Sequence, residues 1–185
     1  MSLFRRHQRR SGLSAGITIP ELLVTAVLIV ILGTIVISNV LTSWRSAQAS
    51  ELAVQLAGWL EEISRRPEVS GTSCTVTFTT GTLNSNAVLA QVSPTSCAVQ
   101  PSFRVTALYG NRPLSVGAST NTVVFTPRQA ITSSNDIQVR LAILNQAPVR
   151  CVRLSATLGL IRLGRNDATP ATTTDDCPAA SFDII

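Results

Sequence analysis

Gly16-Ile17-Thr18-Ile19-Pro20-Glu21 joins an arginine-rich leader, MSLFRRHQRRSGLSAG at residues 1–16, to a stretch with no charged side chain over residues 22–44. As a helix, that stretch of about 23 residues would be roughly 35 Å long, enough for one crossing of a hydrocarbon core about 30 Å thick. Arg5, Arg6, Arg9 and Arg10 bias the N-terminus toward the cytoplasm, so everything beyond about Trp44 is expected on the far side. Ala15-Gly16 places small residues before the apolar stretch, whereas an ordinary secretory signal is cut after it. A chain cut there keeps its helix. An uncut signal-anchor with a basic tail is the competing reading.

Glu21 bears on that choice. A carboxylate near the head of a lipid-facing helix is costly unless it is neutralised or paired. Cleavage after Gly16 would create an amine on Ile17, four residues earlier and on the same helical side. That amine, or the one on a neighbouring subunit, would pair with Glu21 and set the register of helices assembling side by side. The plainer alternative is an idle, hydrated carboxylate among headgroups. The segment GITIPELLVTAVLIVILG at residues 16–33 resembles the prepilin-type cleavage and methylation signature of the type IV pilin and pseudopilin superfamily. The resemblance implies an inner-membrane prepilin peptidase that cuts after Gly16 and methylates Ile17, leaving Glu21 as the fifth mature residue. Ile17 departs from the Phe usual at the first mature position. The motif covers only the first quarter of the chain.

The chain of 185 residues carries a formal charge of +5, most of it in the leader arginines. Net charge therefore gives no argument for nucleic-acid binding by the processed chain. All 15 basic residues are arginine. Removing leader and span leaves about 140 residues, enough for one modest domain with its own core.

From Arg45 the helical pattern continues to Arg66, with Leu52, Leu56, Trp59, Leu60 and Ile63 on one apolar stripe. Glu61 with Arg65 and Glu62 with Arg66 form two four-residue-spaced pairs. Pro67 is the expected stop. Gly33 and Asn39 are places where the helix would soften. From Cys74 the pattern changes to short Val-, Thr-, Ile- and Phe-rich runs separated by turn residues. The expected strands are 74–79, 87–92, 103–107, 122–126, 137–144, 149–155 and 159–163. Such a sheet needs a cover and the helix stripe needs a partner, which together give an α+β domain: a long N-terminal helix packed on a C-terminal antiparallel sheet. Residues 166–176 read as a loop or mobile tail.

The expected organisation is a cleavable leader (1–16), a transmembrane or filament-core helix (17–44), its amphipathic continuation (45–67) and an extracytoplasmic β-rich domain (68–185). Cys74, Cys97, Cys151 and Cys177 allow three pairings. Cys74 with Cys97 and Cys151 with Cys177 is the preferred set, because it closes loops of moderate length and ties the tail to the penultimate strand region. Topology favours oxidation. A four-thiolate zinc site lacks any C-x-x-C pair, and free thiols are the remaining alternative.

Two further stretches, VVFTPRQAI (123–131) and RCVRLSATLGLIRLG (150–164), are similar to the paired strand motifs closing the GspH/FimT-like group of minor pilins and pseudopilins. Gln129 stands where glycine is commoner, and Gly159 falls at the expected hairpin turn. The implied fold is pilin-like.

Catalysis is not expected. The single histidine, His7, lies in the leader, which removes the usual general base and nitrogen ligand from a processed chain. Asp136 reads as a turn residue, and Asp167, Asp175, Asp176 and Asp183 as a solvated tail whose spacing matches no calcium loop. Gly110-Asn111 reads as a turn rather than a phosphate loop. No metal and no cofactor are expected.

The resulting expectation is a structural subunit, a minor pilin of a type IV pilus or a pseudopilin of a type II secretion system. Its partners would be prepilin peptidase, other pilins or pseudopilins, an inner-membrane assembly platform and, before assembly, membrane lipid. It would start as a single-pass protein of the bacterial inner membrane with its C-terminal domain extracytoplasmic. The polar loops and tied tail lean toward the pilus. Some members of the FimT group resemble DNA receptors, which makes Arg150, Arg153, Arg162 and Arg165, with Arg128 and Arg140 beside them, candidates for phosphate contact. An ordinary solvated strand surface explains those arginines equally well, and a signal-anchored binding module outside any filament is the third reading.

Overall fold

The computed structural model describes residues 18–106, 112–128, 130–156, 158–168 and 170–184, with the side chains of 32–39, 183 and 184 left aside. The fold is α+β. Among the described residues one α-helix, α1 (Ile19–Ser70), is followed by ten strands: β1 (Cys74–Phe78), β2 (Gly81–Leu83), β3 (Val88–Ser93), β4 (Ser102–Arg104), β5 (Leu114–Ala118), β6 (Thr122–Phe125), β7 (Ile137–Ile143), β8 (Val149–Leu154), β9 (Ile161–Asn166) and β10 (Phe182–Ile184). The chain divides into two compact units, up to Val40 and from Leu41 onward.

In the first unit Pro20 and Glu21 occupy the opening turn of α1, where a missing N–H costs nothing and a carboxylate suits the helix dipole. Ile19, Leu22, Leu23, Val24, Val27, Leu28, Ile29, Val30 and Ile31 are all exposed. That segment has no polar side to set against an apolar one. Among the described residues no helix is long and apolar enough to cross a membrane.

In the second unit α1 is amphipathic, and the stripe is buried as its spacing predicts. Leu52, Leu56, Leu60 and Ile63 are at most 1% exposed and Trp59 8%, with Ala49, Ala53 and Ala57 filling the positions between. Trp59 donates its Nε1–H to the Gln100 carbonyl at 2.9 Å, so its one polar atom stays satisfied while the ring packs against Phe103. The pairs Glu61–Arg65 and Glu62–Arg66 form at 3.1 Å each.

Pro67 does not stop the helix. It is buried in the last turn, and α1 continues to Ser70. The terminator is Gly71, at φ 69°, whose N–H closes on the Pro67 carbonyl at 2.8 Å. A left-handed residue after the last turn satisfies carbonyls that would otherwise be orphaned, and glycine takes that conformation at no steric cost. Proline near the end of a helix forfeits only a single backbone bond.

Two antiparallel sheets, rather than one, pack on this helix. The smaller has order β4-β3-β1-β6 and the larger β10-β9-β8-β7-β5-β2. The chain passes from the smaller to the larger sheet between β1 and β2, where Gly81 sits at φ 106°. Alternation along the larger sheet is regular: Ile137, Val139, Leu141 and Ile143 of β7 and Val152 and Leu154 of β8 join the helix core. Their neighbours Ala142, Val149 and Cys151 join a separate small cluster with Ala171 and Cys177. The sheet thus has two covered faces.

Five of the seven expected strands recur to within a residue, 159–163 moves along the chain to Ile161–Asn166, and 103–107 shortens to Ser102–Arg104, with residues 107–111 outside the described set. Strands β2, β5 and β10 were not expected. Gly159, at φ 62°, lies in the β8–β9 turn as its sequence context predicts, whereas Gln129 lies outside the described residues.

Leu56→Ala, at the centre of the stripe, should destabilise the domain by about 2–5 kcal/mol, read as a lower urea midpoint with unchanged slope.

Candidate functional site

Both disulfides form as preferred, Cys74–Cys97 with Cα atoms 5.9 Å apart and Cys151–Cys177 at 6.3 Å. The first joins the start of β1 to a 3₁₀ turn (Thr95–Cys97) after β3. The second joins the middle of β8 to the C-terminal segment. Two buried disulfides indicate an extracytoplasmic domain. Among the described residues no three His, Cys, Asp or Glu side chains gather as a metal-binding group.

Gly16 and Ile17, the proposed processing residues, lie outside the described residues. Glu21 is exposed in the first turn of α1, among the exposed apolar side chains of that segment.

The four C-terminal arginines form two cross-strand rungs. Arg150 on β8 stands opposite Arg165 on β9, and Arg153 opposite Arg162. Arg153 lies three positions after Arg150, an odd offset, so the rungs occupy opposite faces of the sheet. They do not make one basic patch. Arg150 points to the helix side, where it donates to Ser46, to Ser50 at 2.8 Å and to Asp167 at 2.8 Å. Its side chain is only 13% exposed, while Arg165, beside the same Asp167, is 72% exposed. Arg153 grips Asp136 through both Nε and Nη2, and its guanidinium lies 5.3 Å from the centre of the Phe182 ring.

Asp136 is more than a turn residue. Its second oxygen accepts the Ala156 N–H at 2.8 Å, so one carboxylate ties the head of β7 to the end of β8. The Ala156 N–H and then the Arg153 hydrogen bonds hold the carboxyl below its ordinary value, against the opposing effect of partial burial.

The C-terminal segment is pinned. A single row of paired residues crosses the larger sheet: Gly117 on β5, Arg140 on β7, Cys151 on β8, Gly164 on β9 and Phe182 on β10. The segment after Ala171 crosses the outer face along this row and meets its members in order. The Thr173 carbonyl lies over Gly117, where an added Cβ would fall 2.2 Å from it. Asp176 pairs with Arg140 at 2.7 Å, and Arg140 also donates to the Thr174 carbonyl at 3.2 Å. Cys177 is bonded to Cys151, and the Phe182 ring covers Gly164, where a Cβ would fall 2.5 Å from ring carbons. Thr173 also donates twice to Asn145 Oδ1, and Gln138 Oε1 accepts the Cys177 N–H. The expected mobile tail is a strap. Asp176 on the strap and Asp167 ahead of it stay exposed to solvent, as expected, and each also pairs with an arginine of the sheet.

The strap's path had a signal in the sequence: small residues at alternate positions of β5 and β9, Ser115, Gly117 and Gly164, mark a surface that another backbone approaches closely. Without the strap in view, Gly117 within Leu114–Ala118 argues against a strand, which is why β5 escapes sequence reading.

Against known protein families, curated proteins and solved structures, the chain finds no match. The findings define an α+β, disulfide-tied domain carried by a long N-terminal helix, a fold consistent with a pilin.

Because Asp136 has a lowered folded pKa, its contribution to stability is present above its ordinary value near 3.8 and is lost as pH falls through the folded value. Asp136→Asn should therefore lose on the order of 1 kcal/mol at pH 7, after allowing for solvent screening. The gap between the urea midpoints of variant and parent should narrow as pH falls below the ordinary carboxylate value and through the lowered folded one. A gap that stays constant down to the lowest pH at which both proteins remain folded would remove the carboxylate from this account.

Proposed function

We propose that this chain is a minor pilin or pseudopilin, a structural subunit of a type IV pilus or type II secretion pseudopilus, cut after Gly16 and methylated on Ile17. The observation that carries the reading is the junction itself: a basic leader, Gly16, then Glu21 as the only charge before Arg45. The exposed apolar side chains along the start of α1 support it, because a helix that is apolar all round needs lipid or other helices about it. The paired disulfides support an extracytoplasmic position for the second unit.

In this reading the uncharged part of α1 holds the subunit in the inner membrane and then enters the filament core. Glu21 meets the methylated amine of an adjacent subunit. That contact converts a desolvation penalty into a choice of register, since an unpaired carboxylate in the core is worse than any paired arrangement. The domain from Leu41 onward presents its sheets and strap outside.

Two measurements test the proposal. The intact mass of the protein from its native membrane should lack residues 1–16 and carry one methyl group on Ile17; a chain starting at Met1 or Ser2 in peptidase-competent cells would make it a signal-anchored module instead. Glu21→Ala should leave cleavage intact and lower crosslinking to neighbouring subunits by at least tenfold, since removing one partner of a buried charge pair costs about 3–5 kcal/mol and each 1.4 kcal/mol is a factor of about ten.

A further inference from the structure

We infer that the second unit carries a seat for the phosphate of an anionic membrane lipid, in the groove that α1 forms just beyond Leu41 with the start of β8 and the end of β9. The inference rests on the membrane-held reading of the uncharged stretch proposed above.

The groove is open, has a volume of about 510 Å³ and lies wholly within the unit that begins at Leu41. Its helix wall includes Thr42, Ser43 and Ser46, three hydroxyl residues, and its sheet wall includes Arg150, Arg165 and Asp167. Two guanidiniums against one carboxylate leave it cationic. Arg150 is fixed in place: 13% exposed, it donates to Ser46, Ser50 and Asp167. Arg165 differs. Its side chain is 72% exposed, and Asp167 Oδ2 stands 3.7 Å from its Nε, too far for a hydrogen bond. The rung thus already takes an oxyanion, but that carboxylate is committed to Arg150. A phosphate on Arg165 would gain the charge-assisted, two-pronged contact that Asp167 does not supply.

Position selects lipid as the source of the phosphate. The helix wall of the groove starts two residues before Trp44, where the uncharged stretch ends. Thr42 to Ser46 covers about 6 Å along a helix, comparable with a headgroup layer of about 5–7 Å on each side of a bilayer. Trp44, 49% exposed, falls in the same span, and indoles collect at headgroup level. Arg45, the first charge after the stretch, is engaged by Gln146 at 3.0 Å and does not line the groove, so Arg165 is the cation that meets the headgroup.

The test reconstitutes the full-length protein in phosphatidylcholine nanodiscs containing a minority of phosphatidylglycerol with a diazirine on its headgroup, and maps the photolabelled peptides. Labels should fall on residues 42–47 and 163–167. They should drop at least about fivefold in Arg165→Ala, the effect of one basic side chain near an anionic surface. Arg65→Ala, which removes an equally exposed arginine further along α1, should change nothing. Equal losses in the two variants would reduce the effect to net charge and overturn the inference. So would labelling that excess inorganic phosphate abolishes while chloride of the same ionic strength does not, since the groove would then take a free anion. A parallel reconstitution with the diazirine in the acyl chain separates this failure from that of the membrane reading. Acyl labels on residues 22–41, with headgroup labels that ignore Arg165→Ala, would end the phosphate seat alone; no acyl labels there would end both.

Discussion

The stripe from Ala49 to Ile63 is the surface against which both sheets are organised. Neither sheet has a complete core alone: Val76, Phe78, Leu89 and Phe125 of the smaller and Val116, Leu141, Val152 and Leu154 of the larger belong to one cluster with the helix. Fully burying each large aliphatic side chain contributes about 1.5–3 kcal/mol. The three leucines and one isoleucine of the stripe therefore outweigh the exposed ion pairs Glu61–Arg65 and Glu62–Arg66, which are worth tenths of that each. Alanines between them let the backbone of α1 sit close to the strands.

The two faces of the larger sheet are covered by different means. Toward α1 the cover is a helix meeting large side chains. On the outer face it is an extended strap, and the strands respond with Ser115, Gly117, Ala142 and Gly164, residues small enough for a backbone carbonyl or a ring to come close. The difference explains the split of the arginine rungs. Arg150 is drawn into hydrogen bonds with the helix serines, while Arg153 sits under Phe182 with Asp136 as its partner. Neighbours in sequence thereby serve different interfaces.

What was legible in the sequence follows from period and spacing. The helix stripe, both four-residue charge pairs, the disulfide pairing, the Gly159 turn and most strands carry local signals that the tertiary structure does not override. Three kinds of feature were hidden. Gly71 rather than Pro67 ends α1, because a buried proline in a last turn is compatible with helix and the true stop lies four residues later. The division into two sheets depends on the bend at Gly81, which a strand pattern does not reveal. The strap is hidden because Thr- and Asp-rich composition describes a loop equally well whether it is solvated or clamped; the small residues Gly117 and Gly164 and the partners Asn145, Arg140 and Cys151, which distinguish the two, all lie outside the segment itself. Gly16 and Ile17 rest on motif alone.

Each disulfide closes a short circuit within the chain, at sequence separations of 23 and 26. Both circuits begin after Ser70, so α1 belongs to neither. Tension applied between the helix and the domain is therefore borne by side-chain packing along the stripe and by a few hydrogen bonds such as Trp59 to Gln100, with no covalent strut in parallel. The β domain is reinforced internally, and the helix grips it as a clutch rather than as a weld.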